Sequence, residues 1–477
     1  MELTSDACYQ ALQTHDRRFD GVFFVGVATT GIYCRPVCPA RTPLRRNCRF
    51  FDNAAAAEKA GFRPCLRCRP ELAPGRATVD AGRRLAERIA GHIEDGALSN
   101  GDTAALAAAV GIGARHLRRV IQDAYGVAPV ELAQTHRLLL AKRLLTDTDL
   151  PVTEVAFASG FRSLRRFNAL FRERYRLNPT ELRRQRGTDR PETLTCELRY
   201  LPPFDWPFLT RFLAGRASCG TEAVVDGQYR RTVRREGRIG WLTVDPVPDR
   251  PALRVTLSTS LAPVTLPVLT RVRRLFDLHA DPDRIVAHLG AIADASPGLR
   301  VPGAFDGFEM AVRAILGQQV SVRAASTLSG RFARAFGEEI VTPYPELTHL
   351  FPTPETVAGL CVDDIARLGI FASRATTLLA LARAVTGGVV TLEPTPDIEP
   401  TVRRLRTLPG IGEWTAEYIA LRALCWPDAF PHGDLGIQRA LGETKKERLL
   451  ERADAWRPFR SYAVLHLWKS LEENETK

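Results

Sequence analysis

The chain has 477 residues, of which 45% are hydrophobic and 25% charged. This is the make-up of a globular protein and excludes wholesale disorder. A single core does not suffice at this length, so about three or four domains are expected. The longest stretch without a formal charge, Val255–Thr270, is broken by Pro263 and Pro267 and falls short of a membrane span. Met1-Glu-Leu-Thr-Ser-Asp has neither a basic nor an apolar leader pattern, so neither a membrane nor a secreted protein is expected.

The net charge of +12 is unevenly placed. Residues 1–190 hold 31 Lys+Arg against 20 Asp+Glu, whereas residues 191–477 hold 35 against 34. A basic surplus in one part of a chain points to a polyanion, above all nucleic acid. Only six basic residues are lysines. The arginine fork suits phosphate, and a GC-rich genome gives the same bias.

In chain order, a mixed Cys/Pro-rich segment comes first. Six of the ten cysteines (Cys8, Cys48, Cys196, Cys219, Cys361 and Cys425) are scattered. Four form tight pairs, Cys34-Arg-Pro-Val-Cys38 and Cys65-Leu-Arg-Cys68. Two short pairs a few tens of residues apart read as a four-thiolate zinc site, with a pair of disulfides as the alternative. The segment 21–70, with its Thr-Thr-Gly-Ile run before Cys34, resembles the N-terminal domain of the Ada family of DNA alkylation-repair regulators. The resemblance implies one Zn²⁺ on Cys34, Cys38, Cys65 and Cys68. It also implies that Cys34 accepts a methyl group from a methylated DNA phosphate, whereas spacing alone favours an inert structural zinc. Zinc keeps a thiol deprotonated at neutral pH. Four thiolates on Zn²⁺ carry a formal −2, and methylating one leaves −1, so methylation of Cys34 is expected to tighten DNA binding.

Near Leu72-Ala-Pro-Gly-Arg76 the pattern turns helical and stays so to about Arg186. Residues 102–124 read as helix, glycine turn and second helix, whose exposed face carries Arg115, His116, Arg118 and Arg119. The pattern recurs from Val152, with Arg162, Ser163, Arg165 and Arg166 at the second turn and helix. The second copy, with Gly160-Phe-Arg-Ser163 and a trailing Asn178-Pro-Thr180, resembles the paired DNA-binding helices of the AraC family. Such helices enter the major groove, where arginines read guanine edges or hold phosphates. A solvated basic face on a helical bundle is the alternative. Two units in one domain fit an asymmetric site and a monomer rather than a palindrome.

Gly187-Thr-Asp-Arg-Pro191 reads as a linker. Residues 192–262 then alternate in strand fashion, most clearly at 193–200, 240–244 and 253–257. Helical periodicity returns from about Leu266 to Leu471, with breaks near 297–303, 343–354 and 409–412.

The last segment holds Leu408-Pro-Gly410-Ile-Gly412-Glu-Trp414, a helix-hairpin-helix signature that aims backbone groups, often with a monovalent cation, at a DNA phosphate. Asp434 follows 20 residues after Trp414, in Asp434-Leu-Gly-Ile437-Gln-Arg439. Together they resemble the glycosylase superfamily named for the hairpin, the Gly/Pro loop and the Asp. Tyr200-Leu-Pro-Pro-Phe-Asp-Trp206 and Arg274-Leu-Phe-Asp-Leu278 add a likeness to AlkA-type DNA-3-methyladenine glycosylases. The resemblance implies that Asp434 is the catalytic carboxylate and that Trp414, Tyr418 and Trp468 wall the pocket for a flipped base. Asp434 is equally an N-cap before Leu435-Gly-Ile437, and the three aromatics could serve as core. Bifunctional relatives place a lysine where Trp414 stands, so hydrolysis without strand cleavage is expected. No cysteine follows Cys425, which excludes the terminal four-cysteine loop of the iron–sulfur branch. Gln319 stands where AlkA-type sequences carry a leucine wedge and is expected to plug the gap left by the flipped base.

The reading is a multidomain α+β protein: 1–75, zinc methyl-acceptor domain; 76–187, all-α double helix-turn-helix; 188–295, strand-rich α+β domain; 296–477, all-α helix-hairpin-helix glycosylase. The implied activities are hydrolytic excision of alkylated purines, methyl transfer to cysteine and transcriptional activation. The implied partners are alkylated and promoter double-stranded DNA and RNA polymerase, in the bacterial cytoplasm at the nucleoid. Two rivals are a regulator with a non-catalytic glycosylase fold and a glycosylase merely recruited by its N-terminal domains. The Pro-Cys-His-Arg site for O6-alkylguanine repair occurs nowhere in the chain.

Overall fold

A computed structural model describes residues 5–15, 23–51, 54–68, 70, 78–94, 96–98, 102–184, 192–395 and 398–475. The expected linker 187–191, the junction at 72–76 and the domain boundaries placed there lie outside the described residues, as do positions 21, 22 and 69 of the zinc motif. The backbone forms two compact units, one of residues 1–90 with 112–129 and one of residues 91–111 with 130–477.

The first unit holds a four-stranded sheet in the order β3-β1-β2-β4, with β1 Phe24–Val27, β2 Ile32–Cys34, β3 Cys48–Phe51 and β4 Arg63–Pro64. The two-residue period of a strand separates its faces. Phe24 and Tyr33 meet edge to face at 6.0 Å and share a cluster with Ala57 and Phe62. Gly26 is required on this side, because a Cβ there would lie 2.8 Å from the Phe51 ring and 2.9 Å from the Phe62 ring. Val25 and Cys34, paired across the strands, point to the other face and cluster with Leu12, Cys38, Cys65 and Cys68. The helix Ala114–Tyr125 also belongs to this unit; it buries Leu117, Val120 and Ile121 and ends on Gly126 in the left-handed region.

The second unit begins with helical elements, among them Pro129–Asp147, Val152–Ala158, Leu164–Tyr175 and Pro179–Arg184. A five-stranded antiparallel sheet follows in the order β5-β9-β8-β7-β6: β5 Thr193–Arg199, β6 Glu222–Val225, β7 Gln228–Arg235, β8 Arg238–Pro246 and β9 Ala252–Ser258. The three strands clearest in sequence are β5, β8 and β9. Asp226-Gly227 and Glu236-Gly237, all at positive φ, make the two-residue turns that join β6 to β7 and β7 to β8. Two segments depart from the strand pattern: Trp206–Ala214 is a helix, capped by Asp205 with Pro207 in its first turn, and a 3-10 helix begins at Thr259.

One charged network is buried between this sheet and the helix Gly307–Leu316. Arg231 pairs with Glu309 at 2.8 Å, Arg313 pairs with Glu222 at 2.6 Å and Glu309 at 3.1 Å, and the Tyr229 hydroxyl donates to Glu222 at 2.6 Å. Burial raises the Glu222 carboxyl, but Arg313 and Arg231 outweigh it and leave it below the usual range. Such a network defines register more than it adds net stability. From Thr265 onward the described elements are helical, as the periodicity predicts. Gly307–Leu316 is buried on nearly every side and packs against helices Val322–Phe336, Ala372–Thr386 and Glu413–Arg422. Among the described residues no helix is long and apolar enough to cross a membrane.

Candidate active site and zinc centre

The zinc ligands gather at one end of the first sheet, where β2 and β4 run parallel and both finish. Cys34 ends β2, Cys38 closes the following turn with its N–H on the Arg35 carbonyl at 3.1 Å, and Cys65 follows β4 with its N–H on the Tyr33 carbonyl at 3.0 Å. Arg35 fastens the fourth ligand: its N–H reaches Cys68 Sγ at 3.4 Å and its guanidinium the Cys68 carbonyl at 3.2 Å. The four sulfurs lie within 4.8 Å of one another. Left to themselves these thiols conflict: hydrogen bonding to Cys38 and Cys68 raises Cys34, while hydrogen bonds from Cys34 and Cys68 hold Cys38 down to about 2. Four soft donors that close together suit one tetrahedral Zn²⁺.

The helix-turn-helix side chains expected at DNA are on the surface. Arg115, Arg118 and Arg119 are exposed on helix Ala114–Tyr125, and Arg119 contacts His116 Nδ1 at 3.1 Å. Arg162, Arg165 and Arg166 are exposed at the start of helix Leu164–Tyr175. Ser163 has a second task there, since its hydroxyl accepts the Arg166 N–H at 3.4 Å and caps that helix.

The glycosylase residues converge within the second unit. Gly410, at φ +78, turns the hairpin, and Gly412 caps helix Glu413–Arg422, which carries Trp414 and Tyr418 one turn apart. Asp434 caps helix Leu435–Leu441, accepting from Gly436 N–H at 2.9 Å and Ile437 N–H at 3.1 Å. The cap and the carboxylate expected in the pocket are therefore one group. Trp414 Nε1 donates to Asp434 Oδ2 at 3.2 Å, and Trp468 Nε1, from the C-terminal helix, donates to Oδ1 at 3.0 Å. Trp414 and Tyr418 stack at 5.4 Å and 17°, and Trp468 stands 6.3 Å from Tyr418. Gln319 is exposed at φ +53, next to Gln318, whose amide reaches the Gly410 carbonyl at 2.8 Å.

Three residues absent from the sequence reading join this wall. Phe212 stacks with Trp468 at 6.3 Å and 20°. The Arg216 guanidinium lies 3.6 Å from the Phe212 ring centroid, and Arg422 lies 5.0 Å from it and 5.8 Å from that of Tyr418. Burial raises the Tyr418 hydroxyl, but Arg422, Arg216 and Arg313 together hold it below the usual tyrosine value. The Phe212 and Tyr418 rings thus already meet the protein's own guanidinium groups. Arg422 falls four residues after Tyr418, a helical spacing legible in sequence. Phe212 and Arg216 come from the strand-rich region and left no local signal. A cleft of about 830 Å³ lies elsewhere, lined by Glu154, Phe157, Arg235, Arg238 and Arg271 among others.

Comparison with known proteins covers most of the chain. Residues 7–71 match the family described as the metal binding domain of Ada, 106–185 a helix-turn-helix domain, 195–306 the AlkA N-terminal domain, and 312–448 the HhH-GPD superfamily base excision DNA repair proteins. The "Probable bifunctional transcriptional activator/DNA repair enzyme AlkA" of Mycobacterium tuberculosis is 40% identical over 98% of this chain and 96% of its own length. DNA-3-methyladenine glycosylase 2 of Escherichia coli is 39% identical over 57% of this chain and 95% of its own. The bifunctional transcriptional activator/DNA repair enzyme Ada of Escherichia coli is 37% identical over 33% of this chain and 43% of its own.

Proposed function

The chain belongs to the family of the bifunctional transcriptional activator/DNA repair enzyme AlkA, and from that premise we propose that it excises alkylated purines from DNA, captures methyl groups from methylated DNA phosphates and activates transcription. Four domains, bounded at 1–75, 76–187, 188–295 and 296–477, divide these tasks. The observation that carries the reading is Asp434 held between the indoles of Trp414 and Trp468 beside the hairpin.

The reaction follows from those residues. The hairpin of Gly410 and Gly412 holds a phosphate, where a monovalent cation at 408–412 would assist, Gln319 fills the vacated stack, and the aromatic wall receives the flipped base. As the bond from C1′ to the base nitrogen breaks, its electron pair leaves with the base. An N3- or N7-alkylated purine enters as a cation and leaves neutral. The Asp434 carboxylate faces the oxocarbenium-like sugar and takes a proton from the water that bonds to C1′. Trp414 offers no amine for a Schiff base, so the strand stays whole.

In the first domain the Cys34 sulfur bonds to the methyl carbon of a phosphotriester, the carbon–oxygen bond breaks, and the electron pair returns to phosphate as an ordinary diester. Zinc held by Cys34, Cys38, Cys65 and Cys68 would keep the Cys34 sulfur deprotonated at neutral pH. The helix-turn-helix arginines hold promoter DNA for RNA polymerase, with the chain acting as a monomer at the nucleoid in the bacterial cytoplasm, where DNA is at hand and thiols stay reduced. The test is incubation with methylated duplex DNA. Free 3-methyladenine and 7-methylguanine should appear while strands stay intact until alkali is added. Prompt strand breaks, or no free base, would contradict the reading.

A further inference from the structure

Asp434 accepts hydrogen bonds unequally at its two oxygens. Oδ1 takes the N–H groups of Gly436 and Ile437 at 2.9 and 3.1 Å and the Trp468 indole at 3.0 Å. Among the described residues Oδ2 takes the Trp414 indole, at 3.2 Å. A carboxylate oxygen offers two lone pairs, so three donors saturate Oδ1 while Oδ2 keeps one pair for chemistry. The two indoles come from elements remote from the cap, one just after the hairpin and one from the middle of helix Arg460–Glu475. Gly436 makes the second contact possible. A Cβ there would lie 3.0 Å from Asp434 Oδ1 and 3.1 Å from Trp468 Cδ1, tight enough that the indole and the carboxylate must shift by a few tenths of an ångström to admit it.

We propose that Trp414 and Trp468 are positioning residues for Asp434: their indole N–H groups fix the rotation of the carboxylate so that Oδ2 alone faces the reacting sugar carbon, and Gly436 admits the Trp468 indole. This rests on Asp434 being the catalytic carboxylate. A wall for a flipped base needs only ring faces, which phenylalanine also provides; holding a carboxylate needs the N–H. A few tenths of an ångström of misplacement is enough to slow a step that depends on orientation.

The test uses the full chain and single-turnover excision of 7-methylguanine from duplex DNA. Trp468→Phe, Trp414→Phe and Gly436→Ala are made alone and combined with Asp434→Asn. Affinity for a duplex holding an uncleavable abasic-site analogue is measured alongside, and its retention shows that a variant is folded. Each single variant should slow the chemical step about 10- to 100-fold, the effect of losing one hydrogen bond to a charged group. Duplex affinity should stay within about twofold. In the Asp434→Asn background the same changes should add little, because the group they position is gone. Full rates in both phenylalanine variants and in Gly436→Ala, or equal losses with and without the carboxylate, would reduce the tryptophans to walls and overturn the proposal. A full rate in Asp434→Asn itself would instead remove the catalytic reading beneath it.

Discussion

Gln318 donates from Nε2 to the Gly410 carbonyl oxygen at 2.8 Å and to Thr415 Oγ1 at 2.9 Å, and Arg374 holds the Gln318 carbonyl. The loop that presents Gln319 is thereby joined to the hairpin. On the proposed reading, the plug and the phosphate grip are thus fastened to each other. Gln319→Ala should slow excision from duplex DNA about tenfold, because flipping costs a few kcal/mol and nothing then fills the gap. Excision from single-stranded DNA should hardly change. Equal loss on both substrates would mean that Gln319 does not act as a plug.

The hairpin itself is sensitive to one atom. Gly410 sits at φ +78, and a Cβ there would lie 2.0 Å from Thr377 Oγ1. Gly410→Ala therefore combines left-handed strain of about 1–2 kcal/mol with a clash. Lower urea resistance and weaker duplex binding are expected together. All six tryptophans lie between residues 206 and 468, so their fluorescence follows the second unit alone.

Zinc and methyl capture should separate from excision. Chelation should release one Zn²⁺ per chain and disrupt the sheet of residues 24–64, while tryptophan fluorescence stays constant. Intact mass after exposure to methylphosphotriester DNA should show one added methyl group, lost in Cys34→Ser. A Cys34→Ser protein that still takes up the methyl group would remove Cys34 from that role.

Two buried groups near the C-terminal helix set opposing pH slopes. Burial, aided by Lys469, lowers His466 to about 4 from an ordinary value of 6.5. Between those values the unfolded chain binds the proton more readily, so stability is lost as pH falls from 6.5 to 4. Burial pushes Asp277 up to about 6 from 3.8, against the pull of Arg300 and a hydrogen bond from Tyr462. That contribution is present at low pH and lost as pH rises through 6. Each amounts to about 3 kcal/mol, so they nearly cancel between pH 4 and 6. Asp277→Asn, which keeps an acceptor for Tyr462 and tolerates the φ of +51, should expose the histidine slope. Its urea midpoint should drop steeply from pH 6.5 to 4.5, where the wild type changes little. A wild-type slope equal to that of the variant would show that Asp277 does not titrate in this range.

What was legible in the sequence depended on distance along the chain. Cys34 and Cys38, or Gly410 and Gly412, lie within one turn or loop, so spacing alone reveals them. The strands β5, β8 and β9 follow their two-residue period. The helix Trp206–Ala214 was hidden because its apolar residues suit a strand as well, although Asp205 and Pro207 mark its start. Phe212 and Arg216 reach the aromatic wall only through tertiary packing. The Trp468 indole packs closely over Gly436 to reach Asp434, a relationship no local pattern carries. The family resemblance pointed to the tryptophans, but not to their N–H groups on the carboxylate.

The most direct measurement is release of 3-methyladenine and 7-methylguanine from methylated DNA by the wild type and by Asp434→Asn. Release by the wild type, with a loss of about a hundredfold or more in a variant that still binds duplex DNA, is the result expected of a carboxylate that stabilises the reacting sugar. Release by neither, or equally by both, would contradict the account.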